Sequence, residues 1–133
     1  MRLPEIIGQD DAMRILDAEI RSGTMSHAYL LWGWRESGRT LLARRLALAA
    51  NCSLKSQAPP GSFLWYCGEC ANCAKIVGGV HPDFSVIAPS GASIKIAQIR
   101  EMQWRISLKA NESELKTWLI DDAEQMTEDA QNC

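Results

Sequence analysis

Cys67, Cys70 and Cys73 form a Cys-x-x-Cys-x-x-Cys run, with Cys52 upstream. Four thiolates can close a tetrahedral zinc site with Zn–S distances of about 2.3 Å, which leaves no open position for catalysis. The x-x spacings let successive cysteines turn around one ion, and Gly68 eases the tight bend. The N-terminal Met1-Arg2-Leu3-Pro4-Glu5 has no signal-peptide pattern, so a cytoplasmic location is expected. Closely spaced thiols there stay reduced and favour metal over disulfides. The expectation is one structural zinc on Cys52, Cys67, Cys70 and Cys73, in an insertion at about 52–79. The competing readings are buried apolar cysteines without metal, or a redox pair, which lacks a thioredoxin-like strand–helix context.

At 133 residues the chain is at most one ordinary domain. Its 47% apolar content supports a packed core. A net charge of −2 argues against a strong autonomous nucleic-acid binder, which needs clustered cations. A local basic patch at Arg39, Arg44 and Arg45 remains open. No apolar run is long enough to span a membrane.

Asp10 or Asp11 can cap a first helix whose Ala12, Ile15, Leu16 and Ile20 follow helical spacing, with Ser22-Gly23 as its stop. Ala28-Tyr29-Leu30-Leu31-Trp32 reads as a strand buried on both faces. A loop from Gly33 to Thr40 leads into a second helix with Leu42, Leu46 and Ala49 on one face. Pro59-Pro60-Gly61 breaks the chain before the cysteines, and Gly78-Gly79 follows them. Phe84–Ala88 and Thr117–Ile120 read as further strands, flanking a helix marked by Ile96, Ile99, Met102 and Ile106 and a turn at Asn111–Glu114. Residues 124–133 read as a polar helical stretch with no stop signal, as in an N-terminal fragment cut within a helix. The alternation implies an α/β fold with a parallel sheet. Trp32 and Trp118 are expected in the core, and His27 and His81 are expected to be structural rather than ligands.

The candidate nucleotide site is Gly33, Ser37, Gly38, Arg39, Thr40 and Leu41. In a working P-loop, backbone N–H groups and a helix N-terminus cradle phosphates, a Lys reaches the outer oxygens, and Ser/Thr binds Mg²⁺. Here Arg39 replaces the compact Lys, Glu36 sets a carboxylate where phosphates belong, and Trp34 crowds the approach. ATP/Mg²⁺ binding is therefore in doubt, and a ligand-free strand–helix turn is the plain alternative. Asp121 and Asp122 end an apolar strand, as a Walker B pair would, one to hold Mg²⁺ and one to polarise water. Asp122 is a methylene shorter than the Glu usual there; a solvated strand end is the competing reading.

In order, Ile6-Ile7-Gly8-Gln9, His27-Ala28-Tyr29-Leu30, the Gly33–Thr40 loop, the four cysteines, His81-Pro82-Asp83, Ile94-Lys95-Ile96-Ala97-Gln98-Ile99-Arg100 and Leu119–Glu124 resemble the bacterial DNA polymerase III clamp-loader subunits, delta-prime first and gamma/tau next. The likeness covers nearly the whole chain. It implies an AAA+ (RecA-like) parallel sheet with helices on both faces and a zinc-binding insertion, so that residues 1–133 form a partial nucleotide-binding domain. It also implies membership of a pentameric ring, with gamma/tau and delta subunits, that places a sliding clamp on primer-template DNA. The altered loop fits a delta-prime-like stator with little or no ATPase activity; a hydrolysing gamma/tau-type motor is the alternative. A free-standing zinc-ribbon module is a third reading. Since the family's sheet has a further strand between the P-loop and Walker B strands, an incomplete sheet is expected here.

Overall fold

Helical periodicity near the N-terminus is realised as α1 (Asp10–Ser22). Asp10 and Asp11 fall in its first turn, where negative charge suits the helix dipole. Gly23 closes the helix at φ 67°, a conformation that costs glycine nothing. The loop's end feeds α2 (Arg39–Asn51), from Gly38 at φ 85°. In this computed structural model, which describes residues 2–133, the chain divides into two compact units, Met1–His81 and Pro82–Cys133.

In the first unit, Met13 and Leu16 of α1 meet Leu42, Leu46 and Ala49 of α2, and Leu64 completes the core. Ala12 and Ile20 are half-buried against it, but Ile15 is exposed, so the apolar stripe of α1 is narrower than its sequence suggests. The last turns of α2, Ala47 to Asn51, are buried throughout. Leu64 is the unusual residue. It is fully buried at φ 48°, a left-handed conformation costing a non-glycine residue about 1–2 kcal/mol. Its N–H donates to Asp17 Oδ1 at 2.8 Å, and its carbonyl accepts from Arg45 Nε at 3.2 Å. Those bonds, with the buried side chain, hold the backbone there. A short α3 (Ala71–Val77) begins within the cysteine run.

The second unit is a strand–helix–strand. β1 (Phe84–Ile87) and β2 (Thr117–Ile120) pair in parallel, Phe84 opposite Thr117 and Ile87 opposite Ile120, with α4 (Ile96–Ile106) as crossover. Ile87, Ile94, Ile99 and Ala130 form its core, flanked by Ile96, Met102 and Trp118. Ile106, expected on the buried face, is half-exposed. Gln98 explains the start of α4: its Oε1 accepts from the Lys95 N–H at 2.9 Å, while its Nε2 donates to the Ala88 carbonyl at 2.9 Å.

Two of the expected elements are not formed. Residues 28–32 form no strand, and Trp32 is 86% exposed. The run keeps a two-residue alternation, with Tyr29 and Leu31 against the first unit's core and Leu30 and Trp32 outward. Among the described residues nothing pairs with its backbone, and a strand without a ladder is not a strand. Residues 124–133 are not one helix either. A 3₁₀ turn (Ala123–Gln125) gives way at Met126 to a parallel bridge with Ile94, whose N–H donates to Gln125 O at 2.8 Å and whose carbonyl accepts from Thr127 N at 3.0 Å. Thr127 then caps a single turn, α5 (Glu128–Gln131).

Candidate metal centre and nucleotide loop

The four cysteines are brought together from three places. Cys52 ends α2, Cys67 lies on the incoming loop, Cys70 caps α3, and Cys73 sits within that helix. Gly68, at φ 81°, makes the turn between the second and third. All four Sγ atoms lie within 4.8 Å of one another, and Cys67 and Cys73 are 4.0 Å apart. A tetrahedral ion with bonds of about 2.3 Å needs sulfur–sulfur edges of about 3.8 Å. The donor set therefore fits such an ion after sulfur shifts of about an ångström or less.

Backbone donors are arranged for thiolates. The N–H groups of Glu69 and Cys70 point to Cys67 Sγ at 3.5 and 3.2 Å, that of Cys73 to Cys70 Sγ at 3.5 Å, and that of Cys67 to Cys52 Sγ at 3.4 Å. Burial pushes the Cys70 thiol up, yet donation from the backbones of Cys73 and Ser53 outweighs it and brings the group down to about 6. Cys52 and Cys73 are held above the ordinary thiol range, foremost by burial, and Cys73 further by its thiol neighbours. Four sulfurs so close cannot all be negative in isolation. A divalent cation resolves that conflict, as metal–thiolate sites do.

The cluster is well supported. Tyr66, two residues from the fully buried Leu64, accepts from the Leu3 N–H at 2.7 Å and lies under the Arg45 guanidinium, 5.9 Å from the ring centre. Arg45 is thus an internal brace rather than part of a basic patch. Asn72 of α3 donates to the Asn51 carbonyl at 2.8 Å and meets His81 Nε2 at 3.1 Å through its Oδ1. That contact places the Nε2 proton on a buried, structural His81. His27, by contrast, is exposed. Neither the brace nor the Asn72 bridge was read from the sequence, because nothing local marks them.

Gly33 to Gly38 form a turn ahead of α2, whose first residues are Arg39 and Thr40. Ser37 N–H donates to Trp34 O at 3.0 Å, and a Cβ on Gly33 would lie 3.1 Å from Ser37 Oγ. Trp34 and Glu36 are exposed, while Ser37 to Leu41 are half-buried. In the other unit, Asp121 extends the β2 ladder by donating to Ile87 O at 2.8 Å, and Asp122 turns away at φ 51°. Both acids are half-buried.

Residues 8–133 match the family model described as DNA polymerase III, delta subunit. The chain belongs to this family. It is 38% identical over 124 residues to DNA polymerase III subunit delta' of Bacillus subtilis, an overlap covering 93% of this chain and 36% of that protein. It is 30% identical to DNA polymerase III subunit gamma of Buchnera aphidicola from Schizaphis graminum, over 92% of this chain and 32% of the relative. Against DNA polymerase III subunit tau of Escherichia coli the figures are 28%, 92% and 18%. The chain thus spans about a third or less of the length of these relatives. No helix among the described residues is long and apolar enough to cross a membrane.

Proposed function

We propose that this chain is the N-terminal part of a delta-prime-like subunit of the DNA polymerase III clamp loader. It would act as a stator in a ring with gamma/tau and delta subunits that places a sliding clamp on primer-template DNA. The observation that carries this reading is the identity of 38% to a delta' subunit, against 28–30% to the gamma and tau proteins. The altered loop agrees with it: Arg39 stands where a hydrolysing loop has Lys, with Glu36 and Trp34 beside it. Residues 1–133 serve in this reading as part of an AAA+ nucleotide-binding domain.

Cys52, Cys67, Cys70 and Cys73 hold a structural zinc, which contributes cross-linking and no reactive position. Gly33, Ser37, Gly38, Arg39, Thr40 and Leu41 keep the shape of a phosphate loop without efficient hydrolysis, and Asp121 and Asp122 are the residue of a Walker B pair. The test is ATP turnover by the full-length subunit alone, followed by clamp loading with the remaining subunits. Negligible turnover together with dependence of loading on this subunit is expected. Robust Mg²⁺-dependent hydrolysis that disappears in Asp121→Ala would instead make it a motor subunit.

A further inference from the structure

We infer that the cleft at the carboxyl end of α4 is an oxyanion site that takes a single phosphate group. The cleft has a volume of about 100 Å³ and is lined by Arg105, Lys109, Lys116, Asn111 and Trp118, all within the second unit. Three cations therefore share one small depression, in a chain whose net charge is −2.

Each cation is placed by a different device. The Arg105 guanidinium lies over the Trp118 ring, 5.2 Å from its centre. That contact uses the flat face of the group and leaves its five N–H donors for ligands in the plane. Lys116 Nζ donates to the carbonyls of Arg105 and Leu108 at 2.8 and 2.7 Å. These bonds fix the ammonium at the end of α4 and leave one of its three protons. Lys109 is exposed at the rim. Asn111 gives its backbone N–H to Asp83 and keeps a side-chain amide with two donors.

The ion pairs of Arg14 with Asp11 and of Arg21 with Asp17 lie elsewhere. Glu101 stands one turn before Arg105 on α4 but makes no ion pair with it, and Glu112 and Glu114 do not line the cleft. The buried Asp83 carboxylate is ionised and lies against the Asn111 backbone N–H, so one negative charge stands behind the cleft, its oxygens taken up by backbone donors. Three cations against one carboxylate and the carbonyl end of α4 leave a local excess of positive charge, which favours an anion. A tetrahedral dianion matches an arginine fork plus two ammonium groups better than a single carboxylate does. The volume is well below the roughly 300 Å³ at which drug-sized ligand pockets begin. It fits one phosphate group, either free inorganic phosphate or the phosphate of a mononucleotide.

The experiment titrates inorganic phosphate into the full-length protein at constant ionic strength, read by calorimetry. One saturable site is expected. Arg105→Gln should weaken it at least tenfold and Lys109→Gln severalfold, both unchanged in an Arg39→Ala background that disables the Gly33–Thr40 loop. Lys109 is exposed, so its variant keeps the test valid if Arg105→Gln lowers the melting temperature. In the Arg39→Ala background, AMP displacing phosphate at lower concentration identifies a nucleotide source; failure to displace it identifies free phosphate. Three results overturn the inference. The first is no saturable phosphate binding. The second is binding lost in Arg39→Ala but kept in Arg105→Gln and Lys109→Gln. The third is Arg105-dependent binding of a DNA oligonucleotide with none of phosphate itself.

Discussion

The carboxylate of Asp83 is 2% exposed and accepts from the backbone N–H groups of Asn111, Glu112 and Ser113 at 2.7–2.9 Å, with the Ser113 hydroxyl at 3.2 Å. Burial alone would push its pKa up, but these donors outweigh burial and hold it at about 2, below the ordinary 3.8. A carboxyl depressed by folding stabilises fully above its unfolded value and loses that contribution as pH falls through its folded one. The Asp83 contribution should therefore be intact at pH 6 and fade from about pH 4 towards pH 2. Asp83→Asn should lower the stability of the Pro82–Cys133 unit by about 2 kcal/mol at pH 7, with little loss at pH 2. Denaturant midpoints at both pH values check it, and equal losses at the two would rule out the charge as the cause. Asp17 does comparable work in the other unit, accepting from Leu64 N–H while paired with Arg21 Nε at 2.5 Å. Asp17→Ala leaves a buried N–H unsatisfied at a residue already in a left-handed conformation. The expected cost is about 2–3 kcal/mol, measured on the unit's own unfolding transition.

Among the elements, the cysteine turn was the most legible, because a Cys-x-x-Cys knuckle is closed by residues within a few positions of one another. Zinc in such a site contributes on the order of 10 kcal/mol to the local fold. Metal analysis of freshly purified reduced protein should give one zinc per chain. Chelation should then raise amide exchange first in residues 52–79, and Cys73→Ser should reproduce the effect without chelator. Zinc-free protein with unchanged protection there would dismiss a structural metal. Helices α1 and α2 were also legible, since Leu16, Leu42 and Leu46 repeat with helical spacing and do pack together. What escaped the sequence depends on distant partners. Leu64 adopts a positive φ because Asp17 and Arg45, far away in sequence, hold both of its backbone groups. The polar stretch after Glu124 breaks because Ile94 pairs with Met126. No local pattern encodes either. The Ile94–Arg100 segment shows both sides: Ile94 and Ile99 are core, Gln98 ties α4 to the end of β1, and Arg100 is exposed.

At the scale of the molecule, the run 28–32 is the part whose sequence and surroundings disagree. Its residues are apolar on both sides of the backbone, as in a strand covered on both faces. Only Tyr29 and Leu31 find cover, while Leu30 is 80% and Trp32 86% exposed. Burying two such side chains is worth about 1.5–3 kcal/mol each, and an unpaired apolar edge invites association with other chains. The overlap with the Bacillus subtilis delta' protein covers 36% of that relative, so most of the relative's chain has no counterpart among these residues. We therefore expect backbone amides 28–32 to exchange rapidly in residues 1–133 alone, with self-association that rises with concentration. In the full-length subunit the same amides should be protected. The Trp32 contribution to fluorescence, taken as the difference from a Trp32→Phe variant, should shift to shorter wavelength. Slow exchange of residues 28–32 in the short chain at a concentration where it is monomeric would mean that the run already has its partner. Fast exchange in the full-length protein would mean that it never acquires one.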